Sequence, residues 1–253
     1  MPYMTKLNKS ARELYAAQDS LLQKVFGSRA DLFGDRPVIL AGGTALARFY
    51  LEHRVSYDLD FFVDGEFHPE RLLKQLERQE IRLDDISMVA PGGTYATQLH
   101  GYAKTAHGYP VKISFVEDFL AGSFDTVKVG QGVLTEEVSG LYCRKLRTIA
   151  GAGQGETATG APTNIGGRQT ARDLFDIYVL SQDVQPLWEF VEEINQFGGN
   201  LSEEAVLRGL HDIPWKDLMD ELDQMERLRH ADITLFDIKR YFDESYSTQQ
   251  PRR

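Results

Sequence analysis

The chain has one cysteine, Cys143, among its 253 residues. An internal disulfide is therefore excluded, and so is a cysteine-rich zinc site. A reducing, cytoplasmic compartment is the default expectation for such a chain. Long apolar runs are missing as well. None approaches the roughly 18 residues that a membrane span needs. The opening residues, MPYMTKLNKSARELYAAQDS, lack the apolar stretch of a secretory signal. No membrane partner is expected. The six histidines fall in no HExxH or comparable metal spacing. Neither a Walker loop nor the GxGxxG dinucleotide pattern occurs, and the Gly151-x-Gly153-x-Gly155 run follows no predicted strand. Positive charge is scarce: 28 Lys and Arg stand against 38 Asp and Glu, a net charge of −10. Proteins that coat nucleic acid are usually basic. An RNA substrate would therefore need a local basic cleft, and the acidic balance equally suits a basic partner protein.

What is present is an ordinary globular composition, 42% hydrophobic and 26% charged. The length allows one large domain or two small ones. Two segments stand out, residues 38–46 (VILAGGTAL) and 54–63 (RVSYDLDFFV). They read as a buried strand, a tight turn at Gly42 and Gly43, a helix, and a second apolar strand carrying Asp58 and Asp60. Side chains at i and i+2 of a strand share a face. The two carboxylates therefore point the same way, and like charges so close repel. A divalent cation, Mg²⁺ or Mn²⁺, removes that penalty, because hard oxygen ligands suit it. Glycine turns expose backbone N–H groups to phosphate, and a following helix N-terminus adds a favourable dipole. Gly42, Gly43 and Thr44 are the candidate phosphate contacts. Together these are the parts for phosphoryl or nucleotidyl transfer.

Residues 42–62, GGTALARFYLEHRVSYDLDFF, resemble the nucleotidyltransferase superfamily signature, and more closely that of the AbiEii/AbiGii toxin family. Residues 141–146 (LYCRKL) resemble that family's lysine-bearing helix. Arg168 followed by residues 171–178 (ARDLFDIY) resembles its arginine and acidic helix. The likeness covers roughly residues 30 to 185 and implies several roles. Asp58 and Asp60 would bind Mg²⁺ and orient the triphosphate of an NTP. Lys145 would supply positive charge to the triphosphate oxygens, and Asp173 would be the family's catalytic acid residue, a base or an orienter. Arg54, Ser56, Arg168 and Arg172 would contact nucleotide. The reaction implied is NMP transfer to an acceptor hydroxyl, with tRNA the leading acceptor. The protein would be the toxin of a type IV toxin–antitoxin system with an antitoxin gene product as partner. One departure matters. The third carboxylate of such enzymes belongs between Ile113 and Phe115, where this chain has Ser114. Glu117 and Asp118 are the nearby substitutes, and Glu117 falls on the opposite strand face by simple alternation. Ser114 motivates an alternative, a catalytically degenerate nucleotide- or partner-binding member. A small-molecule, antibiotic-type nucleotidyltransferase is the other.

The spacing along the chain predicts helices over 7–25, 44–51 and 69–78, and strands over 38–40, 59–63, 81–89, 95–102, 110–116 and 126–129. After Gly132 the pattern reads as helical, with Glu136 and Glu137 suited to a helix N-terminus. Residues 151–167 read as a flexible loop. Helices are expected over 170–180, 186–197, 202–210, 215–228 and 235–242, with a disordered tail over 247–253. The fold class is thus α/β (α+β), a nucleotidyltransferase-type mixed sheet with flanking helices followed by a helical half. The domains are expected as residues 1–132 and 133–253, the second completing the active-site cleft.

Overall fold

The computed structural model describes residues 7–93, 95–105, 108–151, 155–156, 162–163, 170–197 and 201–249. The chain forms two compact units. One holds the chain up to Tyr50 together with Val55–Val138, and the other holds Leu51–Arg54 together with the chain from Ser139 onwards.

The first unit is built on a mixed sheet of seven strands. Its strands are β1 (Val38–Ala41), β2 (Leu59–Asp64), β3 (Leu83–Val89), β4 (Gln98–Ala103), β5 (Val111–Asp118), β6 (Thr126–Val129) and β7 (Val133–Glu136). They lie in the order β3-β4-β5-β2-β1-β7-β6. β2 pairs antiparallel with β1 and parallel with β5. Strand alternation divides the sheet into two faces. One face carries Val38, Leu40, Leu59, Phe61, Val63, Leu99, Ile113 and Phe115, all with no exposed surface. Phe61 and Phe115 stack there at 5.0 Å. Helix α1 (Lys9–Gly27) and the short helix α2 (Arg29–Phe33) cover this face through Phe26, 5.9 Å from Phe61, and Phe33, 5.7 Å from Phe115. α1 starts where the Asn8 side chain accepts from the Ala11 N–H at 2.8 Å, an N-cap that satisfies one orphan donor of the first turn. The other face carries Asp60 and the polar residues in register with it.

Several expected boundaries change. The helix anticipated over 44–51 begins two residues earlier: α3 (Gly42–Ala45) includes both glycines and continues as a π-helical turn over Leu46–Tyr50. Residues 133–136, read as the start of a helix, are strand β7, paired with β6 and β1. Val133, Leu134 and Thr135 are good strand formers, and Glu136 is buried at the strand end. The helix begins only at Val138. α2 was not anticipated. Its end is set by Gly34 at φ 65°, a conformation glycine adopts without cost.

Helix α4 (Pro69–Arg78) completes the first unit, with Pro69 opening it. The second unit is helical: α5 (Val138–Ala150), α6 (Ala171–Asp183), α7 (Leu187–Gln196), α8 (Glu203–His211), α9 (Met219–Gln224) and α10 (Leu235–Gln249). Within the segment expected as loop, Gly155–Glu156 and Pro162–Thr163 pair as two short strands, β8 and β9. The remainder of that segment and the end of the tail lie outside the described residues. α9 is shorter than the helix expected over 215–228. Residues before it form turns, with Trp215 N–H donating to Ile213 and Asp217 N–H to Pro214. Tyr142 on α5 stacks on Phe190 of α7 at 4.1 Å, and its hydroxyl bonds Ser181 of α6 at 2.9 Å. Gly209 lets α8 approach α5 so closely that a Cβ there would lie 2.1 Å from the Ile149 carbonyl oxygen.

Candidate active site

In the first unit the register sets the carboxylates. Asp60 on β2 lies opposite Ala41 on β1 and Ser114 on β5. Ala41 leads directly into α3, whose first residue, Gly42, has φ 68°. A Cβ added at Gly42 would sit 2.9 Å from Asp60 Oδ2. The Asp60 carboxylate thus rests against the backbone where the glycines open the helix, and only glycine suits both the φ and the space. The first four N–H groups of a helix have no intrahelical acceptor, so the N–H groups of Gly42 and Gly43 belong to that set.

Asp58 is held just before β2. Thr44 Oγ1 bonds Ser56 Oγ at 2.8 Å and reaches the Asp58 carbonyl. Ser56 in turn donates its N–H to Tyr15 Oη at 3.2 Å, and its carbonyl accepts from Gln18 at 3.0 Å. Thr44 and Ser56 are both buried. The Thr44 hydroxyl holds the Asp58 segment to α3, and the Ser56 backbone ties it to α1. Arg48, on the π-helical turn, is committed in the same way: it pairs with Asp19 and lies 4.5 Å from the centre of the Tyr15 ring.

Among the described residues no cluster of three or more His, Cys, Asp or Glu side chains forms a metal cage. The carboxylates that could hold an ion are those of Asp58 and Asp60. That pair fits Mg²⁺, which binds through one or two carboxylates and keeps its remaining positions for water and substrate phosphate.

Neither substitute for the missing third carboxylate is placed to serve. Glu117 pairs with Val63 on the core face, and its Oε2 accepts from the Thr97 N–H at 2.9 Å. Asp118 lies four residues beyond Ser114, and its Oδ1 accepts from the Leu120 N–H at 3.0 Å.

The second unit contains a buried charge cluster. Asp176, on α6, has no exposed surface. Its Oδ1 accepts from Arg54 Nε at 2.6 Å and His53 Nε2 at 2.6 Å. Its Oδ2 accepts from Arg54 Nη2 at 2.8 Å and lies 2.7 Å from Lys145 Nζ on α5. Lys145 also donates to Asp173 Oδ1 at 2.6 Å, while Thr170 Oγ1 donates to Asp173 Oδ2 at 2.7 Å. The helical i, i+3 spacing puts Asp173 and Asp176 on one face.

The electrostatics follow. Burial alone would raise the Asp176 carboxyl, but Arg54 and Lys145 outweigh it and hold the group well below the usual range. Asp173 is lowered despite burial, by Lys145 and Thr170. Burial alone would lower the Lys145 ammonium, and Asp173 with Asp176 raises it instead. Lys145 is therefore a fixed cation, and Asp173 a carboxylate with both oxygens engaged. His53 is lowered by burial, so its ring is neutral, and its Nδ1 has no hydrogen-bond partner among the described residues. Its ring stacks on Phe175 at 5.5 Å.

Of the remaining predicted site residues, Arg172 is partly exposed, with Nε 3.6 Å from Glu221 Oε1. Arg168 lies outside the described residues. Neither His53 nor Asp176 is among the candidate site residues that the sequence marks. The available signal was two acidic residues three apart on a helix otherwise apolar on that side.

The profile described as "Nucleotidyl transferase AbiEii toxin, Type IV TA system" matches residues 26–244. The chain belongs to that family and is a nucleotidyltransferase. The fold agrees with JHP933 from Helicobacter pylori at 18% identity and a TM-score of 0.53, covering 96% of this chain and 94% of that one. A second H. pylori structure aligns at 16% identity and 0.52, over 96% and 97% of the two chains. MenT4, a nucleotidyltransferase toxin of Mycobacterium tuberculosis, aligns more weakly, at 17% identity and 0.44, over 85% and 68%. No curated relative matches significantly. No helix among the described residues is long and apolar enough to cross a membrane.

Proposed function

We propose that this nucleotidyltransferase moves NMP from an NTP to an acceptor hydroxyl in the presence of Mg²⁺, with tRNA as the leading acceptor. The observation that carries this reading is the Asp60 carboxylate seated against the Gly42 backbone, with Asp58 fixed two residues before it. Asp58 and Asp60 are the residues to hold Mg²⁺ or Mn²⁺. Such an ion polarises phosphoryl oxygens and orients the triphosphate. The N–H groups of Gly42 and Gly43 contact phosphate. Lys145, held charged by Asp173 and Asp176, is the cation that the family resemblance assigns to the triphosphate. Asp173 orients Lys145 rather than taking a proton, because Lys145 and Thr170 occupy its two oxygens. Arg172, partly exposed, is the further arginine that the family resemblance assigns to the nucleotide, whereas Arg54 is taken up by Asp176. The family supports a toxin with an antitoxin partner, and we extend that role to this chain in a cytoplasmic setting.

The test is label transfer. The protein is incubated with Mg²⁺, each α-labelled NTP in turn and total tRNA, beside the variants Asp58→Ala/Asp60→Ala and Lys145→Ala. Label on RNA that depends on Mg²⁺ and is lost in the variants supports the reading and names the nucleotide. NTP binding without transfer to RNA or protein points instead to the degenerate reading that Ser114 motivates. Transfer to a cationic small molecule, and none to RNA, moves the acceptor to that class.

A further inference from the structure

The sheet register leaves one basic side chain in the row that holds Asp60. Across five strands the row reads Ser87, His100, Ser114, Asp60, Ala41. Residues directly paired on neighbouring strands share a face, and this row lies on the face away from the aromatic core. Asp60 and His100 are its two titratable members, with the small Ser114 between them. Adjacent strands lie about 4.8 Å apart, so roughly two such spacings separate the Asp60 and His100 backbones. The side chain between them ends at a hydroxymethyl group. By the resemblance described above, the third carboxylate of such enzymes would stand at the Ser114 position.

We infer that His100 accepts the proton of the incoming hydroxyl, replacing the carboxylate that Ser114 lacks. The inference rests on the nucleotidyl-transfer reading above. Three features set His100 up for the role. Its Nε2–H donates to Gln98 Oε1 at 2.7 Å, so the neutral ring keeps its lone pair on Nδ1. A β-bulge between Asp84 and Ser87 lies directly beside it, with Asp85 at φ 48°. The bulge lies on β3 and brings Ser87 into register with His100. Gly101, next along β4, admits the bulged strand: a Cβ there would lie 3.0 Å from the Asp84 carbonyl oxygen.

Burial and then Lys112 lower the His100 pKa, which favours the neutral, proton-accepting ring. The groups around it are Gln98 and Tyr102 on its own strand, Ser114 and Lys112 on β5, and Ser87 and Asp84 on β3. Asp84 is paired with Lys104 at 2.9 Å. The carboxylates that could compete are otherwise engaged: Glu117 on the core face, Asp118 at the Leu120 N–H, and Asp173 between Lys145 and Thr170.

The step balances simply. The hydroxyl oxygen forms a bond to the α-phosphorus, its proton passes to His100 Nδ1, the bond from the α-phosphorus to the bridging oxygen breaks, and pyrophosphate leaves with the electron pair.

The experiment compares the unaltered chain with His100→Gln and with His100→Gln/Ser114→Asp, using Mg²⁺, α-labelled NTP and total tRNA. General acid–base catalysis contributes about 10²–10⁴-fold. His100→Gln is therefore expected to lose transfer by that factor while binding NTP with unchanged affinity, measured by titration. It should also lose the acidic limb of the pH–rate profile. Ser114→Asp in the same chain should restore transfer at least tenfold, because it puts a carboxylate beside Asp60. Transfer by His100→Gln within threefold of the unaltered chain overturns the inference and leaves the nucleotidyl-transfer reading intact. Loss of NTP affinity in parallel with transfer, without rescue, also overturns it. No Asp58- and Asp60-dependent transfer by the unaltered chain removes the reading itself, and the inference with it.

Discussion

Asp176→Asn is the perturbation that tests the buried cluster most directly. The carboxylate accepts from His53 Nε2 and Arg54 Nε on one oxygen, and from Arg54 Nη2 on the other, where Lys145 Nζ also lies at 2.7 Å. Asparagine keeps the shape and one acceptor oxygen, but its amide nitrogen has no lone pair to offer. Arg54 Nη2 and Lys145 Nζ then face another donor, and Asp173 is left as the carboxylate paired with Lys145. Asp176 has no exposed side-chain surface, and Arg54 has only 3%. Breaking a buried ion pair by removing one partner costs about 3–5 kcal/mol. Both tryptophans, Trp188 and Trp215, lie in the helical unit, so tryptophan fluorescence during urea unfolding reports on it. At a urea slope of about 2 kcal/mol per molar, the midpoint should fall by roughly 1.5–2.5 M. The pH dependence has a definite sign. Asp176 is depressed in the folded state, so its contribution is fully present above the ordinary value of 3.8 and is lost as pH falls through the depressed folded value. The gap between the unaltered chain and the variant should therefore persist down to about pH 4 and close only in stronger acid. A midpoint shift below about 0.5 M at pH 7 would refute the claim that this carboxylate holds the two cations together.

Gly42→Ala introduces a Cβ 2.9 Å from Asp60 Oδ2 at φ 68°. A left-handed conformation costs a non-glycine residue about 1–2 kcal/mol. NMP transfer should fall more than tenfold while the circular dichroism spectrum is retained. Gly209→Ala would place a methyl 2.1 Å from the Ile149 carbonyl. Overpacking of this kind costs about 1–3 kcal/mol, so the melting temperature read by tryptophan fluorescence should drop. His53 is neutral in the folded chain because burial lowers it. Below its ordinary value of 6.5 the unfolded chain binds a proton that the folded chain does not, so stability should decline from about pH 6.5 downward. The urea midpoint should be lower at pH 5.5 than at pH 7.5, and the difference smaller in His53→Gln.

How much of this was legible in the sequence depends on how local each feature is. Asp58, Asp60 and the glycines lie within one stretch, where strand alternation is enough to orient them. Their mutual contact follows from the antiparallel pairing of β1 with β2. Ser114 was legible for the same reason, because an apolar run placed its strand and alternation its face. β7 was not. Four residues are too few for a period to show, and what makes them a strand is the edge offered by β1 and the hairpin with β6.

The Asp176 cluster was legible only in part. Its acidic pair has helical spacing, but Arg54 and His53 reach it from residues some 120 positions earlier. They belong to Leu51–Arg54, the four residues that leave the sheet unit between the π-helical turn and Val55 to join the helical one. No spacing rule predicts so short an excursion. It does explain why Arg54, only four positions before Asp58, is fixed by a different part of the chain. Its guanidinium is committed to the buried carboxylate of Asp176, whereas Asp58 is set by Thr44 and Ser56. The segment thus splits its charged residues between two scaffolds, and a motif continuous in sequence is held by each of them independently.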